Sequence, residues 1–255
     1  MTELDLAIAA AVSGGAHLRR RPSTVSHKGA IDLVTEVDLA SEQAIREVLE
    51  PTGIPVQAEE GGGAQSGSRW VVDPLDGTTN FVHDYPFYCV SIALMDGERP
   101  VVGVIYDPIR EHLYAAQSGR GATRNGEPLR VSGARTLGES LAVTGFPADQ
   151  RERAPVFLRY VERILLHTRG LRRSGSAAMD LAMIAAGQVD FYWEFGLKAW
   201  DTAGGQCIVT EAGGVVSRLD GSAHVPGCPE VLATNPWLHE AVMQLFLETG
   251  STPWA

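Results

Sequence analysis

Cysteine is scarce in this 255-residue chain: Cys89, Cys207 and Cys228 are the only three, and no two of them form a CxxC pair. An odd, scattered set gives neither a disulfide framework nor structural zinc, and points to a reducing compartment. Positive charge is short as well. Lysine and arginine total 21 against 31 acidic residues, a formal net charge of −10, which argues against a nucleic-acid-binding surface. No apolar run approaches the length of a membrane span, so no membrane association is expected. The opening "MTELDLAIAAAV" lacks the basic start of a signal peptide, and a cytoplasmic protein is expected. Internal repeats and low-complexity tracts are also missing. What remains is ordinary globular composition, 44% hydrophobic and 20% charged, on a chain long enough for one large domain or two small ones. The acidity suits a protein whose metal ligands count as uncompensated charge, and solubility alone explains it equally well.

Helical spacing of Leu4, Ile8, Ala11, Val12, Gly15 and Leu18 predicts a helix over residues 3 to 20 with one buried face. A polar loop leads to a second helix near 36 to 50, stopped by Pro51-Thr52-Gly53. "IPVQAEEGGGAQSGS" reads as a short strand ending in acids, then a loop. From 87 to 131, β-rich runs broken by Asp-Gly, Asp-Pro, Ser-Gly and Asn125-Gly126 predict an antiparallel meander. After about residue 135 strands alternate with helices: "SLAVTGF", a helix at 152 to 167, "AAMDLAMIAAG", "VDFYWEF", a helix at 201 to 212, "EVLATN" and a last helix near 236 to 248. The pattern gives an α+β first half, residues 1–138, and an α/β second half, 139–255, forming one compact unit with a cleft between them.

Candidate chemistry centres on "WVVDPLDGTTNF", residues 70–81. An apolar strand runs into Asp73 and Asp76, which repel unless something cationic lies between them. Asp73, Asp76 and the Leu75 carbonyl offer hard oxygen ligands suited to Mg²⁺ or Mn²⁺. The N–H groups of Gly77, Thr78 and Thr79 open a helix, where anions are favoured. A cation site touching an anion site is what phosphoryl chemistry needs. The same residues also read as a plain turn with an N-capping Asp76. Glu59 and Glu60 read as a solvated loop, Asp201 as a helix cap, and Asp38 as the partner of Thr35 in a capping box. Lys28 reads as a surface lysine, and Glu194 as either a rim charge or an acceptor for substrate hydroxyls.

Together, "WVVDPLDGTTNFVHDYPFYCVSIAL", "RRSGSAAMDLAMIAAGQVDFYWEFG" and "WDTAGG…EAGG" resemble the inositol monophosphatase family over nearly the whole chain. The resemblance implies a layered αβαβα sandwich of the inositol monophosphatase and fructose-1,6-bisphosphatase type, a homodimer, and lithium inhibition. It implies that Glu59, Asp73, the Leu75 carbonyl, Asp76 and Asp201 hold two or three Mg²⁺ ions, Mn²⁺ serving as a substitute. By the same resemblance Glu59 and Thr78 position the attacking water and take its proton, Asp38 orients Thr78, and the amides of Gly77 and Thr78 bind phosphate. Ala177, Glu194 and Asp76 would meet the hydroxyls of the alcohol, and Lys28 would lie on a mobile loop near the metals.

The chain departs from the pattern in two places. Lys198 stands where the animal enzymes carry histidine, and reads either as a partner for a second phosphate or as a solvent-facing lysine. Gly204 replaces a common alanine. The expected activity is hydrolysis of myo-inositol 1-phosphate, a small phosphate ester, by direct attack of water. Alternatives are fructose-1,6-bisphosphatase or a broad sugar-phosphate phosphatase, and further off a histidinol-phosphate or 3′-phosphoadenosine 5′-phosphate phosphatase. A regulatory binding protein on the same fold is the reading from a different class.

Overall fold

The computed structural model describes residues 1–20, 22, 24–27, 33–146 and 150–249. Its first half runs α1 (Glu3–Gly15), β1 (Val25–His27), β2 (Leu33–Thr35), α2 (Glu36–Leu49), β3 (Val56–Ala58), β4 (Arg69–Asp76), α3 (Thr78–Val82) and β5 (Cys89–Asp96). It continues through β6 (Arg99–Asp107), β7 (His112–Gln117), β8 (Ala122–Arg124) and β9 (Glu127–Pro128). The second half holds β10 (Leu141–Thr144), α4 (Gln150–His167), β11 (Gly170–Arg173), α5 (Ala177–Ala185), β12 (Phe191–Phe195), α6 (Ala199–Glu211), β13 (Val215–Ser217), β14 (Glu230–Thr234) and α7 (His239–Leu247).

β3 to β9 form one seven-stranded sheet in sequence order. Only β3–β4 is parallel; the meander from β4 to β9 is antiparallel throughout. One of its two-residue turns is the predicted Asn125-Gly126 pair, both residues having positive φ (52° and 85°) as a type I′ hairpin requires. The second sheet has the order β11-β10-β12-β14-β13. There β10 runs parallel to β11 and β12, whereas β14 is antiparallel to both its neighbours.

Side-chain alternation along the strands turns the two sheets into five layers. Trp70, Val72, Val90, Ile92 and Val104 pack with Ala7, Ala11, Ile45 and Leu49 of α1 and α2. The opposite face of that sheet, through Ile105 and Tyr114, meets Leu181 and Ile208 of α5 and α6, which also cover Val143 and Tyr192 of the second sheet. Outside that, Phe191, Trp193 and Phe195 pack against Tyr160 of α4 and Phe246 of α7. The result is the layered αβαβα arrangement that the sequence led one to expect. Among the described residues no helix is long and apolar enough to cross a membrane.

Two elements differ from the reading of the sequence. The first helix ends at Gly15, followed by a single 3₁₀ turn at His17–Arg19. The loop before α2 contains the short antiparallel pair β1–β2, whose register sets Val25 opposite Thr35. Three-residue strands with polar neighbours leave no periodicity to detect. Gly204 proves to be a packing residue. A Cβ there would lie 2.9 Å from Ser91 Oγ and 3.2 Å from the Ile92 carbonyl, so glycine lets α6, and with it Asp201, settle close onto the first sheet.

Candidate active site

Asp73 and Asp76 are three residues apart, which on a regular strand would turn them to opposite faces. The register of β4 against β5 slips between them: Asp73 pairs with Ser91 and Asp76 with Cys89. Pro74 and Leu75 stand out of the ladder, and this irregularity changes the parity so that both carboxylates serve one place. Leu75 N–H donates to Asp73 Oδ1 at 3.0 Å, fixing the loop. Gly77 then takes φ 96°, in the left-handed region, and starts α3. A side chain at Gly77 would also press on the Phe87 carbonyl at 3.1 Å.

Asp76 does not cap the helix that follows it. Instead its Oδ2 accepts from Ser176 Oγ at 2.7 Å and from the Ala178 amide at 2.6 Å, at the start of α5. Asp201, in the first turn of α6, accepts from the Lys198 amide at 2.6 Å. Asp38 accepts from Thr35 N at 2.9 Å and Thr35 Oγ1 at 2.5 Å through one oxygen, completing the capping box of α2. Its other oxygen, Oδ1, lies 3.2 Å from Thr78 Oγ1, which is also 3.0 Å from the Leu75 carbonyl. The single Thr78 proton can serve only one of these acceptors, so whatever engages Leu75 O directs the hydroxyl to Asp38. Cap and site residue are thus one and the same at Asp38, and again at Asp201.

The acids are costly to hold together. Burial pushes Asp73 well above the ordinary carboxylate range, and the charges of Glu59, Asp76 and Asp201 push it further. Asp201 is raised well above that range too, by burial and then by Asp76. Asp76 is raised by burial but partly offset by Ser176 and the amides opening α5. Asp38 is raised by burial against the hydrogen bonds of Thr35 and Thr78. Among the described residues no three His, Cys, Asp or Glu side chains close as ligands around a single point. The donors are nonetheless all oxygen, and charge repulsion between buried carboxylates is what a hard divalent cation relieves.

Beside these acids lies a cavity of about 200 Å³ lined by Asp76, Arg173, Ala177, Glu194, Leu197 and Asp201. Glu194 is 7% exposed, and burial raises its pKa to about 7 against the hydrogen bond from Tyr192 and the charge of Arg173. A larger cavity of about 480 Å³ beside Phe81 contains none of these acids. Two of its guanidinium groups are already tied, Arg19 to Glu111 and Arg110 to Asp107.

The sequence profile of the inositol monophosphatase family matches residues 2–250. The chain belongs to the inositol monophosphatase family. Its similarity to an inositol-1-monophosphatase of Synechocystis is 41% identity over 97% of this chain and 90% of that one. It is equally similar to Nus factor SuhB of Pseudomonas aeruginosa, at 41% identity and 94% of both chains. The solved inositol monophosphatase of Anabaena superposes with a TM-score of 0.88 at 40% identity, covering 96% of this chain and 95% of its own. The chain is therefore a phosphatase of the inositol monophosphatase family.

Within that family frame, the structure gathers Asp38, Asp73, Leu75, Asp76, Gly77 and Thr78 around one loop. It brings Ala177, Glu194 and Asp201 to the adjoining cavity. Glu59 follows β3 and its amide donates to the Val72 carbonyl at 3.2 Å, placing it next to Asp73. Lys198 has an exposed side chain and reaches Asp201 only through its backbone amide. Lys28 lies outside the described residues. Reasoning from sequence missed Arg173 and Tyr192, and read Ser176 only as part of a helix start, which it is. Arginine next to a Gly-Ser helix start, and tyrosine two residues before Glu194 on the same strand face, were the signals available.

Proposed function

We propose that this chain is a Mg²⁺-dependent phosphomonoesterase that hydrolyses myo-inositol 1-phosphate to inositol and phosphate. The observation that carries the reading is the juxtaposition of the Asp73–Asp76 loop with the Thr78–Asp38 pair and the Glu194 cavity. Glu59, Asp73, the Leu75 carbonyl, Asp76 and Asp201 would hold two or three Mg²⁺, with Mn²⁺ as a substitute. Bound there, the cations would lower the pKa of water and neutralise charge on the phosphoryl group.

The protein's own groups do the rest. The amides of Gly77 and Thr78, at a helix start with no intrahelical acceptor, bind phosphate oxygens. Asp38 accepts the Thr78 hydroxyl proton, leaving the Thr78 oxygen to accept from the attacking water. Glu59 takes the proton that water loses as its oxygen bonds to phosphorus. The bond from phosphorus to the inositol oxygen breaks, and that oxygen takes a proton from a second water. No phosphoenzyme forms. Glu194, Asp76 and the Ala177 amide meet the ring hydroxyls, donors that suit acidic acceptors.

The test is phosphate release with Mg²⁺, comparing kcat/KM for myo-inositol 1-phosphate and fructose 1,6-bisphosphate. A preference for the inositol ester is expected. A preference for the bisphosphate would keep the chemistry and reassign the substrate, with Arg173 in the cavity and Lys198, the residue after the lining Leu197, as the cations to examine. We further propose a cytoplasmic homodimer.

One observation favours a second reading, a binding role beside catalysis: relatives of this similarity carry the name of a factor, Nus factor SuhB, rather than of an enzyme. Such a role would survive substitutions that abolish turnover, such as Asp76→Asn.

A further inference from the structure

The carboxyl group of Glu194 occupies the space where residue 145 would carry a side chain. A Cβ on Gly145 would lie 2.1 Å from Glu194 Oε2 and 2.2 Å from both Oε1 and Cδ. Non-bonded atoms do not approach so closely. Gly145 is not among the residues with positive φ, so its backbone would accept any amino acid. The three atoms nearest that position all belong to the Glu194 carboxyl group, so a side chain at residue 145 would displace it.

The arrangement follows from strand pairing. Thr144 of β10 lies opposite Trp193 of β12 and donates its hydroxyl to the Trp193 carbonyl at 2.7 Å. That bond locks the two strands just where Gly145 and Glu194 follow. Tyr192 and Glu194 share one face of β12, two residues apart. Tyr192 is fully buried in the layer between the sheets, and its hydroxyl donates to Glu194 Oε2 at 2.7 Å. Glu194 is therefore held by one oxygen, with its carboxyl plane over a bare Cα. Oε1 is the oxygen that Tyr192 does not engage, and Glu194 lines the cavity.

We infer that Gly145 and Tyr192 are specificity-determining positioning residues: they act through Glu194, fixing the carboxylate that takes the hydroxyls of a polyol leaving group. The inference rests on the phosphatase reading above and goes beyond it by naming what sets the discrimination. A glutamate free to rotate would lose side-chain entropy each time substrate bound. One held in place offers its acceptor already oriented.

The test compares kcat/KM for myo-inositol 1-phosphate with that for p-nitrophenyl phosphate, whose leaving group has no further hydroxyl to donate. Gly145→Ala and Tyr192→Phe are measured alone and in a Glu194→Ala background. Each single substitution is expected to lower the polyol-to-aryl ratio by roughly 3- to 10-fold, the effect of one hydrogen bond. The loss should fall on KM rather than kcat, since the contact exists in ground and transition states alike. In the Glu194→Ala background neither substitution should change the ratio further.

A ratio unmoved by both single substitutions would overturn the inference. So would a further drop of the same size without Glu194. Should Gly145→Ala fail to fold, Tyr192→Phe, which removes one oxygen and adds no bulk, still decides the matter. Aryl-ester hydrolysis by the unaltered protein with no preference for the polyol ester would overturn the inference and leave the phosphatase reading standing. Release from neither ester would overturn both.

Discussion

Thr78 of α3 and Asp38 of α2 are joined by a hydrogen bond, and the proposed chemistry uses them as a pair. The hydroxyl proton has two acceptors, Asp38 Oδ1 at 3.2 Å and the Leu75 carbonyl at 3.0 Å. Without Asp38 the Thr78 hydroxyl would donate to Leu75 O or toward the proposed attacking water, the wrong direction for accepting from that water. Thr78→Ala and Asp38→Ala are therefore expected to cost turnover alike, each by roughly 10²-fold. The double variant should be little worse than either single one, because groups acting as a unit are non-additive. Steady-state kcat of the three variants checks this, and multiplicative losses would show that the two residues work separately.

Elements rather than single residues decide how the site is assembled. α2 begins at Thr35, whose hydroxyl accepts from the Val37 amide at 3.1 Å and donates to Asp38. Thr35→Ala is expected to remove about 1 kcal/mol of stability through the lost cap, and also to lower kcat because Asp38 loses a donor. Urea denaturation and kinetics on the same preparation test both halves of that expectation. The capping box itself was readable from Thr35 and Asp38, three residues apart, and so was the meander, from its turn dipeptides. Glycine-bearing turns and caps are local, and local chemistry is what a sequence displays. Asp76 shows where this stops. Its spacing suggested a cap for the next helix, but it caps α5, a hundred residues downstream. The bulge at Pro74–Leu75 that aligns it with Asp73 exists only against β5. Gly145 was illegible for the same reason: its approach to Glu194 is set by the pairing of β10 with β12 in the second sheet.

Across the whole molecule, the buried acids couple stability to pH. Asp73, Asp201 and Glu194 all have pKa values raised on folding, Glu194 from 4.5 to about 7. A raised acid keeps in the fold a proton that the unfolded chain has already released. Its contribution is complete below the unfolded pKa and is lost as pH climbs through the folded one. Without divalent cations the Glu194 contribution should therefore be lost as pH rises from 4.5 to about 7, opposed by His224, which burial lowers from 6.5 to about 4 and whose contribution grows with pH. Comparing melting temperatures of the unaltered protein and Glu194→Gln across this window isolates the Glu194 part. Mg²⁺ displaces protons when it binds carboxylates, so its stabilising shift should be larger at about pH 8 than at about pH 6. Equal shifts at the two pH values would mean that these acids are not its ligands. In the proposed chemistry, acids from the Asp73–Asp76 loop and α6 hold Mg²⁺ for phosphoester hydrolysis. Phosphate release from myo-inositol 1-phosphate as a function of Mg²⁺, in the unaltered protein and in Asp76→Asn, tests it most directly. Saturable activation by Mg²⁺ is expected, with Asp76→Asn reducing turnover by orders of magnitude while the fold, followed by circular dichroism, stays intact. Turnover that ignores Mg²⁺, or an Asp76→Asn protein with near-normal turnover, would contradict it.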